Sequence, residues 1–224
     1  MPLVLFDVDG TLVPSPGTEP RFAWYLLCRG RLGWRQLLAT GWFFLRYWPR
    51  FGRHVPLKNK AWLTGLARAE VASLARDFIA EELAKVLFTP AVARLREHVA
   101  AGDHVVLLTG TPQFLARPLA DHLGAADAVG SLCEVAAGHF CSGPPVRHPY
   151  GETKVEAART LAAEAGMDLS AAVAYADTAS DAPLMRAVGR AVAVMPDRRL
   201  QAMALDAGWE ILADQSGSSI PRSR

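Results

Sequence analysis

The chain has 224 residues, 51% of them hydrophobic and 21% charged, which supports a buried core and excludes disordered, collagen-like and disulfide-framework chains. The net charge of +2 hides a division, because residues 20 to 69 hold ten Arg or Lys and no Asp or Glu, leaving the remainder at −8. Cys28, Cys133 and Cys141 are odd in number and lack metal-ligand spacing, so they point to a reducing compartment rather than to disulfides or zinc.

In chain order, short β-branched or Leu-rich runs alternate with Ala-rich helical patterns, the signature of an α/β parallel sheet covered by helices on both faces. A strand is expected over 3–6, directly at the N-terminus, with no basic segment or long apolar run that would mark a signal peptide; a cytoplasmic location is expected. Further strands are expected over 104–109, 172–176 and 190–194, and helices near 90–101, 112–123, 153–166, 181–188 and 197–207. A hairpin is expected from Leu132 to Cys141, turning at Ala137-Gly138. About a hundred residues separate the first two strands, far more than one α/β connection needs. Pro14, Pro16, Gly17 and Pro20 mark the exit to an insertion, and Thr89-Pro90 marks the return. The expected division is a catalytic core over 1–20 and 89–214, an all-helical cap over 21–88 and a disordered tail over 215–224.

The chemistry lies at strand ends. Phe6-Asp7-Val8-Asp9-Gly10-Thr11-Leu12 ends a strand in two carboxylates and a glycine, at the edge where open α/β sheets bind ligands. The second strand ends in Thr109-Gly110-Thr111 before Pro112, offering a hydroxyl and backbone N–H groups to an anion. The third ends in Asp177-Thr178-Ala179-Ser180-Asp181, and Lys154 stands at a helix start after Gly151 and Glu152. Asp7, Asp9 and Asp177 at one edge would repel one another without a cation, and oxygen-only donors with open positions favour Mg²⁺. A carboxylate nucleophile could then split a phosphoryl displacement into two easier steps.

With these residues in place, the sequence resembles the haloacid dehalogenase superfamily of phosphatases. Four motifs carry the resemblance: FDVDGTL (6–12), LLTGTP (107–112), Lys154 in GETK (151–154) and YADTASDAPLM (175–185). It implies Asp7 as nucleophile, Asp9 as general acid and base, and Thr109, Gly110 and Lys154 as phosphate ligands. It further implies Mg²⁺ held by Asp7, the Asp9 backbone carbonyl and Asp177, with Asp181 assisting. Ala176 stands where a glycine is commoner, and the intact Asp9 speaks against dehalogenation.

The helical insertion between the first two motifs resembles the cap of the phosphoserine-phosphatase-like branch, subfamily IB. Phosphoserine phosphatases usually carry a Glu nine residues after the nucleophile to hold the substrate amine, where this chain has Pro16, with Glu19 nearby but out of register; phosphoserine is therefore not the expected substrate. On a helical wheel Trp34, Leu37, Leu38, Gly41, Trp42, Phe44, Leu45 and Trp48 form a broad face. Arg35, Gln36, Thr40 and Arg46 lie opposite, and Phe43 falls among them. Five of the six tryptophans lie within residues 24 to 62. This pattern resembles the cap of bacterial phosphatidylglycerophosphate phosphatases and suits an anionic membrane surface. It equally suits a small packed cap whose charge complements an acidic core. No nucleic-acid motif accompanies it. The expected activity is Mg²⁺-dependent phosphomonoester hydrolysis on a lipid or amphipathic phosphate, with a soluble metabolite phosphate or a phosphotransfer to a second substrate as alternatives.

Overall fold

The computed structural model describes residues 1–213, so the expected disorder over 215–224 lies outside the described residues. The chain opens with β1 (Leu3–Phe6), enters a helical insertion comprising α1 (Thr18–Cys28), α2 (Trp34–Phe51), α3 (Val55–Lys58) and α4 (Arg68–Glu81), and returns through α5 (Thr89–Ala100). It continues with β2 (His104–Pro112), α6 (Gln113–Leu123), β3 (Asp127–Ser131) and the short strands β4 (Val135–Ala136) and β5 (His139–Phe140). The remainder is α7 (Glu152–Glu164), β6 (Val173–Ala176), α8 (Ala182–Ala187), β7 (Arg190–Val194), α9 (Arg198–Ala207) and β8 (Glu210–Leu212).

Six strands form one sheet in the order β3-β2-β1-β6-β7-β8, and every neighbouring pair is parallel. The strand period of two divides the core. Val4, Phe6, Val105, Leu107, Val173 and Tyr175 face the layer built by α1, α4, α5 and α6. Leu3, Leu5, Val106, Leu108, Ala172 and Ala174 face α7 and α8. Phe6 stacks on Tyr175 with ring centroids 4.1 Å apart, and the Asp7 amide N–H donates to the Tyr175 carbonyl at 2.9 Å. The end of β1, where Asp7 begins, is thus fixed to β6 by both side chain and backbone.

Two strands lie outside the expected set. β3 reads Asp-Ala-Val-Gly-Ser, which offers little β-propensity, and it forms by pairing with β2 across a register shift between Leu108 and Pro112. β8 is a three-residue edge strand held by β7. The β4–β5 hairpin turns at Ala137 and Gly138, both at positive φ.

The insertion is helical throughout, and its first helix begins at Thr18, three residues before the expected boundary. It closes on itself at the neck, where the Phe88 N–H donates to the Leu12 carbonyl at 2.9 Å. Its two ends belong to the main core, because Phe22 of α1 packs on Phe78 of α4 and Phe114 of α6. Its middle does not. α2 rests on a separate small cluster of Phe43, Val55 and Ala61, supported by Ala39, Tyr47 and Phe51. Phe43, which the helical wheel places among the polar residues, is the only buried residue of α2 and seats that side of the helix on the cluster, while Arg35 and Arg46 at its edge stay exposed. The broad apolar face points to solvent, with Leu37 75%, Trp42 65% and Leu45 74% exposed.

Candidate active site

Three segments meet at the C-terminal edge of the sheet. Asp7 follows β1, Asp177 follows β6, and Asp181 closes the one-turn helix Ala179–Asp181 that leads into α8. One carboxylate oxygen from each lies within 4.8 Å of the others, and all three residues are buried. Lys154, in the first turn of α7, reaches into this group: its Nζ donates to Asp7 Oδ1 and to Asp181 Oδ1, each at 2.8 Å. Gly10 makes the approach possible. At φ +94° it takes a conformation L side chains avoid, and a Cβ there would stand 1.9 Å from Asp177 Oδ2.

The charges do not cancel. Three carboxylates against one ammonium leave two negative charges in a buried space. Burial pushes the Asp7 carboxyl up to about 6; Lys154 opposes the rise, and Asp181 and Asp9 add to it. For Lys154, burial alone would favour the neutral amine, but Asp181 and Asp7 more than offset it, so the ammonium is held above its usual range. An oxygen-only donor set with a residual charge of two negatives fits a hard divalent cation.

This carboxylate group differs from the expected trio. The Asp9 side chain turns away from it: Oδ1 accepts from the Thr18 N–H at 2.6 Å and Oδ2 from the Thr111 hydroxyl at 2.7 Å. Asp9 is thereby tied to the first turn of α1, where the insertion begins. Asp181, expected in an assisting position, stands in the group with Asp7 and Asp177. Thr109 is buried, and its hydroxyl donates to Thr111 Oγ1 at 3.1 Å.

Asp7, Asp9, Thr109, Gly110, Lys154 and Asp181 all line a cavity of about 950 Å³. Thr40, Phe44, Leu57 and Trp62 of the insertion also contribute to its wall, as do Arg53 and Arg199. A second groove, of about 430 Å³, runs between α1 and α2 along Trp24, Leu27, Trp34 and Leu37. Pro20, Ala23, Thr40 and Trp62 line both spaces and form a common wall.

Two pairings not visible in the sequence lie at the cavity. Glu19 lines it, but its carboxylate is paired with the buried Lys60 ammonium. Burial raises the Glu19 pKa and Lys60 opposes the rise. His148 also lines it. The Ser131 hydroxyl donates to the Gly110 carbonyl at 2.6 Å, so at its 2.7 Å contact with His148 Nδ1 the ring nitrogen must be the donor. That leaves Nε2 as a buried acceptor with no partner among the described residues. The partners involved are 41 and 17 residues apart, so neither pairing has a local sequence signal.

The haloacid dehalogenase-like hydrolase family matches residues 4–186. The chain belongs to this family. It is 32% identical over 212 residues to the "Inhibition of morphological differentiation protein" of Streptomyces azureus, covering 92% of this chain and 76% of that one. A phosphoserine phosphatase of Mycobacterium tuberculosis is also 32% identical, over 219 residues, covering 92% of this chain and 68% of that protein. A solved structure of a Bordetella pertussis protein of unknown function superimposes with a TM-score of 0.77 at 26% identity, over 94% of this chain and 97% of that one.

Proposed function

We propose that this haloacid dehalogenase-like hydrolase is a Mg²⁺-dependent phosphomonoesterase that works through an aspartyl-phosphate on Asp7 and takes amphipathic substrates. The observation that carries the reaction class is the Asp7, Asp177 and Asp181 cluster with Lys154 between two of its members. Asp7, Asp177 and Asp181 would hold Mg²⁺, with the Asp9 backbone carbonyl as a further candidate ligand. When bound, the ion supplies positive charge against the phosphoryl oxygens and keeps Asp7 ionised.

The protein's own groups do the rest. A carboxylate oxygen of Asp7 attacks phosphorus, forming an acyl-phosphate bond as the ester P–O bond breaks. Asp9 delivers a proton to the departing alkoxide and then takes one from the water that attacks phosphorus, returning Asp7 as carboxylate and releasing phosphate. Lys154, Thr109 and the Gly110 backbone steady the phosphoryl group. The tie between Asp9 and Thr18 links the orientation of this acid to the insertion that covers the site.

The substrate reading rests on the apolar groove that shares a wall with the catalytic cavity. A phosphate at Asp7 and an apolar tail along Trp24, Leu27 and Leu37 would fill both, as in a phosphatidylglycerophosphate-like lipid. Phosphoserine fits poorly despite one relative's name, since Pro16 offers no charge and Glu19 is engaged by Lys60.

The test is phosphate release from paired soluble and lipid phosphomonoesters, with Mg²⁺ and with chelator. The expected result is chelator-sensitive release favouring lipid phosphates, reduced to background in Asp7→Asn with the fold kept. Wild-type turnover in that variant overturns the nucleophile, and activity confined to soluble esters overturns the tail groove. Product that appears only with an added hydroxyl acceptor would instead mark a phosphotransferase.

A further inference from the structure

The exposed face of α2 needs an occupant. Ten of the sixteen large hydrophobic side chains exposed among the described residues fall between Trp24 and Leu57. At about 100° per residue, Trp34, Leu38, Trp42, Leu45 and Trp48 form one stripe on α2. Trp34 and Trp48 stand 14 residues apart on the helix, so the stripe is about 21 Å long. No described helix is long and apolar enough to cross a membrane.

Charge identifies the occupant. Arg29 and Arg31 are paired internally, with Glu81 and Glu70. Arg35, Arg46, Arg50 and Arg53, which lie on α2 or just beyond it, have no carboxylate partner among the described residues. Arg35, Arg46 and Arg50 instead lie over the rings of Trp34, Tyr47 and Phe51 at 5.1 to 5.6 Å. Their charge is not spent on the acidic core. Two copies joined through this face would bring two such uncompensated rims together, with no acid in residues 20 to 69 to relieve them. A stripe of tryptophan and leucine bordered by unpaired arginine matches the boundary of an anionic bilayer, where indole rings sit at the headgroups and arginine meets lipid phosphate.

We propose that α2 is an interfacial helix that docks the protein, through Leu38, Trp42 and Leu45 and the flanking arginines, on an anionic lipid surface. This surface stands apart from the catalytic machinery: none of those three side chains lines the cavity or the groove. Docking would place the mouth of the α1–α2 groove at the lipid boundary.

The test is co-sedimentation with vesicles of phosphatidylcholine alone and of phosphatidylcholine mixed with phosphatidylglycerol. It is run on wild type, on Asp7→Asn and on two triple variants, Leu38→Gln/Trp42→Gln/Leu45→Gln and Arg35→Gln/Arg46→Gln/Arg50→Gln. Wild type and Asp7→Asn are expected to bind the anionic vesicles alike, with blue-shifted tryptophan emission, so failure of the catalytic reading leaves this result untouched. The apolar triple should weaken binding about tenfold or more while melting and soluble-ester hydrolysis stay as in wild type. The arginine triple should lose the preference for anionic lipid and its salt sensitivity. Absence of wild-type binding, equal binding to neutral vesicles, or binding unmoved by the apolar triple would each overturn the proposal. So would a concentration-dependent dimer that the apolar triple abolishes, which would assign the face to a second copy.

Discussion

At the residue scale the site is a balance between burial and charge, and Lys154 is its pivot. Its ammonium holds Asp7 and Asp181 at 2.8 Å each, with both acids almost out of solvent. Lys154→Met keeps most of the volume but leaves the carboxylates without their cation. Breaking one side of a buried ion pair costs about 3–5 kcal/mol, so a loss of that size is expected in urea unfolding without metal, and Mg²⁺ should restore part of it. A variant as stable as wild type without metal would show that Lys154 does not balance the cluster. His148 makes a different prediction, in pH. Burial pushes its imidazole down to about 4, with Lys60, Lys58 and Lys154 adding to the effect. The folded pKa lies below the ordinary value, so the unfolded chain binds the proton first as pH falls. The stability at stake is whole above about pH 6.5 and drains away as pH drops toward 4. Allowing for its partial exposure, this amounts to about 2 kcal/mol between pH 7 and 4.5. His148→Gln should lose less stability than wild type over that interval, and parallel urea midpoints for the two proteins would refute the assignment.

At the scale of elements, the insertion is two things joined. α1 and α4 are continuous with the main core through Phe22, Phe78 and Phe114, whereas α2 hangs on the small cluster around Phe43. Removing a buried phenylalanine costs about 3–5 kcal/mol. Phe43→Ala should therefore release α2 locally, with faster amide exchange over residues 34–60 and unchanged protection in β1 and β6. Uniform loss of protection would mean that α2 unfolds only with the whole chain. The same division explains what the sequence disclosed. β1, β2, β6 and β7 were legible because they are apolar runs, three of them leading into Asp or Thr-Gly. Asp7 and Asp177 were legible because a strand end placed each of them, whereas Asp181 lies four residues further on, in the one-turn helix before α8, and its place beside them was not. β3 and β8 carry no such signal and exist through pairing with β2 and β7. The buried face of α2 was concealed for a physical reason. Hydrophobicity identifies a core face only where a core stands opposite it, and here the smaller cluster took Phe43 while the larger stripe met solvent.

At the scale of the whole molecule, the carboxylate cluster draws on residues nearly the full sheet apart in sequence, at positions 7, 177 and 181. β1 and β6 are neighbours only in the folded sheet, and Gly10 can approach Asp177 only there. An unfolded chain cannot reproduce that group of oxygens, so a divalent ion should bind the native state alone and stabilise the entire fold. At a hundred times its dissociation constant, a ligand with that selectivity adds about 2.7 kcal/mol. Saturating Mg²⁺ should thus raise the melting temperature of wild type, chelator should reverse the shift, and Asp177→Asn should abolish most of it. Ca²⁺ should stabilise too, since the donors are all oxygen, yet support less turnover, because phosphoryl transfer needs the tighter geometry that Mg²⁺ imposes. Asp9→Asn provides the contrast: its side chain bonds Thr18 and Thr111 rather than the cluster, so it should retain the Mg²⁺ response while losing turnover. An Asp177→Asn variant that keeps the full melting shift would place the ion elsewhere and remove the physical basis for the three-carboxylate site.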